Sequence, residues 1–217
     1  MFFLDIFQHD FMVRALVVGF FTAISTVILG NFIVTARQAV VSDMLAHMAL
    51  VGVGLGIFWH IQPLYLALPT TIGAALLLWV LSQQKNQAPE AISMLLLTGG
   101  LATTLLLVHL NKNNPLSLDA YLFGSILTVS KIEMQIFIIL NCLIIVLVLM
   151  LWRPFLTLVF NKDFLHIKPY AKFYQISFMI LVALVVGVGL KIIGGLLIGA
   201  LLVIPVLVAQ TLSLIHI

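Results

Sequence analysis

The sequence predicts an all-α protein of the membrane: a polytopic bundle of about seven transmembrane helices, with one broken or re-entrant segment near 117–130. Three observations predict it. The 217 residues are 63% hydrophobic and 8% charged, with a mean hydropathy of +1.26, whereas a soluble domain is about a quarter charged. Apolar runs of about 20 residues recur along the chain, the length an α-helix needs to cross a hydrocarbon core. Within these runs apolar and polar residues do not alternate, as they would in barrel strands.

The expected spans follow in order. The first covers about 11–34 and ends at "TARQ"; the second covers about 38–59 and is closed by the tight turn "HIQP". The third, about 64–82, runs into the polar patch "SQQKNQAPE", and the fourth, about 91–110, into "NKNNP". The stretch "LSLDAYLFGSILTVSKIE" is apolar but too short to cross cleanly and is interrupted at Gly124. Broken pieces of this kind occur in membranes where they line a cavity. The fifth full span is about 134–152, the sixth about 174–190 and the seventh about 192–210, the last two joined by the glycine-rich "GVGLKIIGG". The first apolar run is too long for a signal-peptide core and reads as a retained span.

Positive charge orients the bundle. The connection 153–172 carries Arg153, Lys162, Lys168 and Lys172, four of the ten basic residues. The positive-inside rule puts it in the cytoplasm. Arg37 and Lys85 then lie inside, and the N-terminus, Lys112, Lys131 and Lys191 lie outside or at the outer interface. The net charge of +3 is dispersed over short loops and is no nucleic-acid signal. The lone cysteine, Cys142, rules out an internal disulfide and a multi-cysteine metal site. No G-x-x-x-x-G-K-[ST] phosphate loop is present, so this chain is not expected to hydrolyse ATP.

The second span holds the chemistry. In "SDMLAHMALVGVGLG" (42–56), Asp43 and His47 stand four apart among apolar and small residues. Residues four apart share a helix face. A carboxylate and an imidazole on one face suit zinc, manganese or iron better than magnesium or calcium. An aspartate deep in a membrane costs about 2.5–3.5 kcal/mol and usually faces a bundle interior. Spacing alone also allows a second reading, in which Asp43 pairs with Arg37 at the interface and His47 bonds a backbone carbonyl. Gly52 and Gly56 form a G-x-x-x-G pattern for close helix packing.

The same stretch resembles the G-D-A-L-S-H-A signature of the permease subunits of bacterial zinc/manganese ABC importers. "DAYLFGSILTVS" (119–130) resembles that family's Y-L-F-G-D segment, and "GLKIIGGLLIGALLVIPVLVAQ" (189–210) resembles its I-P-A-A-T-A helix. "QPLY" (62–65) stands where the family has N-P-F-Y. The likeness runs along the chain to Thr211. Departures are Ser42 for the usual glycine, Ser125 for an aspartate, and "PVLVAQT" without arginines.

The resemblance implies a metal-transporting permease of the bacterial cytoplasmic membrane, with Asp43 and His47 as ligands in the translocation path. It implies no permanently bound cofactor, only transported zinc, manganese or iron. It implies partner ABC ATPase subunits, an extracytoplasmic metal-binding protein and a second permease copy within the lipid. It places the ATPase-docking element in "NKDFLHIKPYAK" (161–172) of the connection 153–172, with Lys162, Asp163 and Phe164 as its contacts. The family has about eight spans, one more than the seven read here. The tail "LSLIHI" (212–217) is consistent in codon terms with a sequencing-library adapter. The natural chain is therefore expected to be one permease domain over 1–211 that continues past Thr211; resequencing without that adapter decides it.

His60 and His109 close spans on the outer side and are candidate entry residues for metal, or plain interfacial histidines. Asp119 and Glu133 flank the broken segment as helix-end residues or outer contacts. Trp59, Trp79 and Trp152 sit at span ends, as interfacial anchors do. The competing function is a secondary transporter or channel, independent of an ATPase, that uses Asp43 and His47 as an ion or proton relay.

Overall fold

The computed structural model describes residues 10–83, 88–110, 118–126, 129–160 and 170–215. Seven helices in it are long and apolar enough to span a bilayer. They are α1 (Asp10–Thr35), α2 (Ala39–Phe58), α3 (Pro63–Ser82), α4 (Pro89–Leu110), α6 (Lys131–Met150), α8 (Ala171–Ile192) and α9 (Gly195–Ile215). Two short helices complete the set: α5 (Asp119–Leu122) in the broken segment, and α7 (Trp152–Phe160) after α6. The expected seven spans and the break near Gly124 are all present. Residues 212–215 continue α9, as any apolar tail would; Lys162, Asp163, Phe164 and His216 lie outside the described residues.

Burial ranks the helices. Two-thirds of the α2 window (67%) and 61% of the α8 window are buried, against 22% for α4 and α6. The centre of the bundle is therefore α2 and α8, and α4 and α6 turn most of their surface away from the rest of the chain. Small residues let α2 come close to its neighbours. A Cβ on Gly52 would lie 2.7 Å from Ala67 Cα, and one on Gly56 would lie 2.6 Å from Pro63 Cα, so both glycines seat α2 on the α3 backbone. Gly187 and Gly189 belong to α8 rather than to the joint after it, and pack on Leu68 and Ile198. The joint itself is Ile193–Gly194, and Gly194 has φ +97.

The two tight turns flanking α2 share one device. Arg37 (φ 58) and His60 (φ 56) take the left-handed conformation. Gln38 N–H reaches back to Ile33 O at 2.9 Å, and Ile61 N–H to Gly56 O at 3.0 Å. Each is the six-to-one bond of a helix C-terminus whose next residue is left-handed. Arg37 and His60 are thus first of all turn residues.

The inner end is aromatic. Phe32 of α1 meets Trp152 and Phe155 of α7 and Phe178 of α8, with ring centroids at 4.8, 5.9 and 6.3 Å, all edge-to-face. Phe155 and Phe178 close the knot at 5.4 Å. Above it, Trp79 Nε1 donates to Gln175 Oε1 at 3.0 Å, joining α3 to α8.

The outer end is polar. Ser130 caps α6 with a capping box: its Oγ accepts from Glu133 N–H at 3.2 Å, and Glu133 Oε2 accepts from Ser130 N–H at 3.0 Å. Glu133 Oε1 pairs with Lys191 of α8 and accepts from Gln62 Nε2 at 3.3 Å. The Lys191 and Glu133 side chains are 17% and 13% exposed, whereas the Asp10–Lys131 pair at 3.7 Å is 80% and 74% exposed. The exposed pair contributes little. The sheltered one differs, because removing one partner strands the other charge. Lys191→Met is therefore expected to destabilise the bundle by about 3 kcal/mol, with most of the loss recovered in Lys191→Met/Glu133→Gln. Thermal melting in detergent checks both.

Candidate functional site

Asp43 and His47 lie on α2, the most buried helix, about 6 and 12 Å along its axis from its inner end at 1.5 Å per residue. His47 is near mid-membrane; Asp43 is in the inner third. The two side chains interact electrostatically. Asp43 is exposed on the single chain and His47 is half-buried. Leu50, one turn further out, continues the same face, since positions i, i+4 and i+7 align.

Three helices frame this face. On one side is α9: a Cβ built on Gly199 would collide with Asp43 Oδ1, and one on Gly195 would meet Leu50 Cδ1 at 3.3 Å. On the other side is α4, where a Cβ on Gly100 would lie 3.4 Å from the His47 carbonyl and 3.0 Å from Met48 Sδ. Behind them α8 fills the core.

Neither part of the second reading of this pair holds. Among the described residues the ion pairs are Asp10–Lys131 and Glu133–Lys191, so Arg37 does not pair with Asp43. Arg37 is exposed and committed to its turn. His47 Nδ1 is buried and has no hydrogen-bond partner. Buried polar atoms are nearly always satisfied. An unsatisfied imidazole nitrogen and a carboxylate one helical turn apart are two potential donor atoms on one face. Among the described residues no third His, Cys, Asp or Glu joins them. Two such groups could grip an ion from one side only.

The other sequence candidates lie elsewhere. His60 and His109 are exposed at the outer ends of α2 and α4, well away from Asp43 along the membrane normal. Glu133 is a helix-end residue, fixed by the Ser130 cap and Lys191. Asp119 opens α5. Tyr121 of α5 packs on the cluster containing Leu50 and Val53. Burial and, secondly, the Glu133 carboxylate hold its phenol above the usual value of 10.0. Sequence reasoning missed Gly199 and Gly100, because a glycine shows its purpose only once the opposing helix is known.

The chain matches the ABC 3 transport family over residues 8–214. It belongs to that family. An uncharacterized membrane protein of Synechocystis sp. is 29% identical over 204 residues, covering 93% of this chain and 72% of that one. The high-affinity zinc uptake system membrane protein ZnuB of Haemophilus influenzae is 29% identical over 210 residues, covering 94% of this chain and 78% of ZnuB. The solved structure of PsaBC from Streptococcus pneumoniae in complex with Fab superposes with a TM-score of 0.78 at 24% identity, covering 94% of this chain and 74% of that one. This last likeness concerns the fold. As an ABC 3 family member with seven apolar helices, the chain is a multi-pass membrane protein and a transport subunit.

Proposed function

We propose that this ABC 3 family chain is the permease of an importer for a divalent transition metal, with Asp43 and His47 as its transient ligands. One observation carries the reading: a carboxylate and an unsatisfied imidazole nitrogen share a face of the most buried helix. Two ligands are too few for a closed structural shell, which for zinc is four. That suits transport, where an ion must leave as well as enter. The name of the Haemophilus influenzae relative, a zinc uptake protein, supports zinc as the first metal to test. Manganese and iron take the same donor atoms.

The driving force comes from outside the chain, which has no phosphate loop. A separate ATPase is proposed to dock on the connection after α7, at Lys162, Asp163 and Phe164. An extracytoplasmic protein delivers metal at the outer face, near His60 and His109. A second copy of the chain covers the exposed Asp43 within the bilayer, since a carboxylate facing lipid is unfavourable. Closing of the ATPases rocks the bundle and changes the access of the Asp43–His47 site from outside to inside.

The test is radioactive zinc and manganese uptake in cells expressing the chain with its ATPase and binding protein. Uptake is expected to stop with vanadate and to survive collapse of the proton gradient. The reverse pattern identifies a secondary transporter and sinks the importer reading.

A further inference from the structure

A strip of glycine on α9 runs against the α2 face that bears Asp43 and His47. Gly195 lies over Leu50, and Gly199 lies over Asp43. A Cβ on Gly199 would occupy the place of Asp43 Oδ1, 3.0 Å from Cγ and 3.7 Å from Cα. The carboxylate thus rests directly on the α9 backbone. Gly199 is buried, so nothing else occupies that space. Gly73 and Gly99 differ sharply: a Cβ on either would meet nothing within 4 Å.

We infer that Gly199 is a positioning residue for the metal site, its missing side chain setting where the Asp43 carboxylate sits relative to His47. This rests on the reading of Asp43 and His47 as ligands. The argument turns on which body moves when a methyl group is added at 199. Withdrawal of α9 is costly, because three residues further on, on much the same face, it would also pull the Leu202 carbonyl off its close backbone contact with α1 at Gly30. A Cβ at Gly30 would lie 2.9 Å from the Leu202 carbonyl carbon. With α9 pinned by α1, the mobile part is the Asp43 side chain. It has only a few staggered rotamers on a helix, so it leaves by a jump rather than a small adjustment. Metal–ligand distances tolerate only about 0.2 Å. A displaced carboxylate therefore no longer shares an ion with His47.

The experiment measures manganese(II) binding to the purified chain in detergent, by loss of the free-ion paramagnetic resonance signal, beside the half-saturating manganese concentration for uptake. Gly199→Ala and Gly199→Ser are expected to weaken binding and raise half-saturation by about 10-fold or more, as loss of a supporting contact does at metal sites. Gly187→Ala strains the α8–α3 contact at Leu68, away from Asp43; it is expected to lower thermal stability and leave half-saturation unchanged. Gly99→Ala is expected to change neither. Wild-type binding by folded Gly199→Ala overturns the inference. If Asp43→Asn also binds like wild type, the ligand reading fails and the inference falls with it; if Asp43→Asn loses binding, the inference alone is lost. Should Gly199→Ala not accumulate, Gly199→Ala/Asp43→Ala decides. Restored abundance puts the collision at the carboxylate, and continued loss overturns it.

Discussion

Asp43→Asn and His47→Ala are each expected to abolish metal uptake while the chain reaches the membrane at normal abundance. Transport is expected to fall by more than about 100-fold, beyond what loss of a supporting contact alone produces at a metal site. Asparagine keeps the shape of the side chain and removes its charge, so on the proposed reading a crossing ion loses the carboxylate one turn from His47. Folding is expected to tolerate both changes. Asp43 is exposed and makes no ion pair with Arg37, and His47 Nδ1 makes no hydrogen bond to lose. Replacing a membrane-embedded aspartate by a neutral residue also eases insertion. Uptake is measured against abundance in the same membranes. Normal transport by either variant removes that residue from the pathway.

Gly124→Val is expected to cause the largest loss of stability in the bundle. Gly124 has φ +75, and a Cβ there would lie 2.5 Å from Gly194 N and 2.6 Å from Ile193 O. The reciprocal Cβ on Gly194 would lie 2.5 Å from Gly124 N. Two backbones therefore meet without side chains between them, and Ser125 N–H donates to Lys191 O at 3.0 Å beside the contact. A left-handed backbone costs an L residue about 1–2 kcal/mol, and a β-branched one tolerates it least. The clash is added to this, since neither backbone can yield as a flexible side chain would. A total above about 4 kcal/mol is expected, in the range reserved for such combined faults. Gly124→Ala should lose less than valine and still more than Gly73→Ala. A melting series in detergent ranks the three, and parity between Gly124→Val and Gly73→Ala contradicts the backbone contact.

The spans were legible because each is a long apolar run, and a membrane helix announces itself by length and composition alone. The break was legible at Gly124 for the same local reason. The Asp43–His47 pair was legible because a spacing of four defines a helix face. What spacing left open was their partners. It took the turn geometry of Arg37 and the unsatisfied Nδ1 of His47 to set aside an interfacial ion pair with Arg37. Contacts between distant segments were not legible. Glu133 meets Lys191 across 58 residues, and Gly199 meets Asp43 from the last helix. No local pattern marks either pairing, because helix packing depends on shape complementarity between faces that sequence does not align.

The aromatic knot at the inner end has a mechanical meaning. Four interlocked rings from α1, α7 and α8 make the foot of α7 behave as a welded elbow rather than a loose joint. A push delivered to α7 at Phe160 would then be carried as torque into two long spars at once. One of them, α1, bears at Gly30 on the helix that carries Gly199. If an ATPase docks beyond α7 as proposed, its stroke would have a stiff linkage to the neighbourhood of Asp43, with no need for the intervening outward-facing helices to bend.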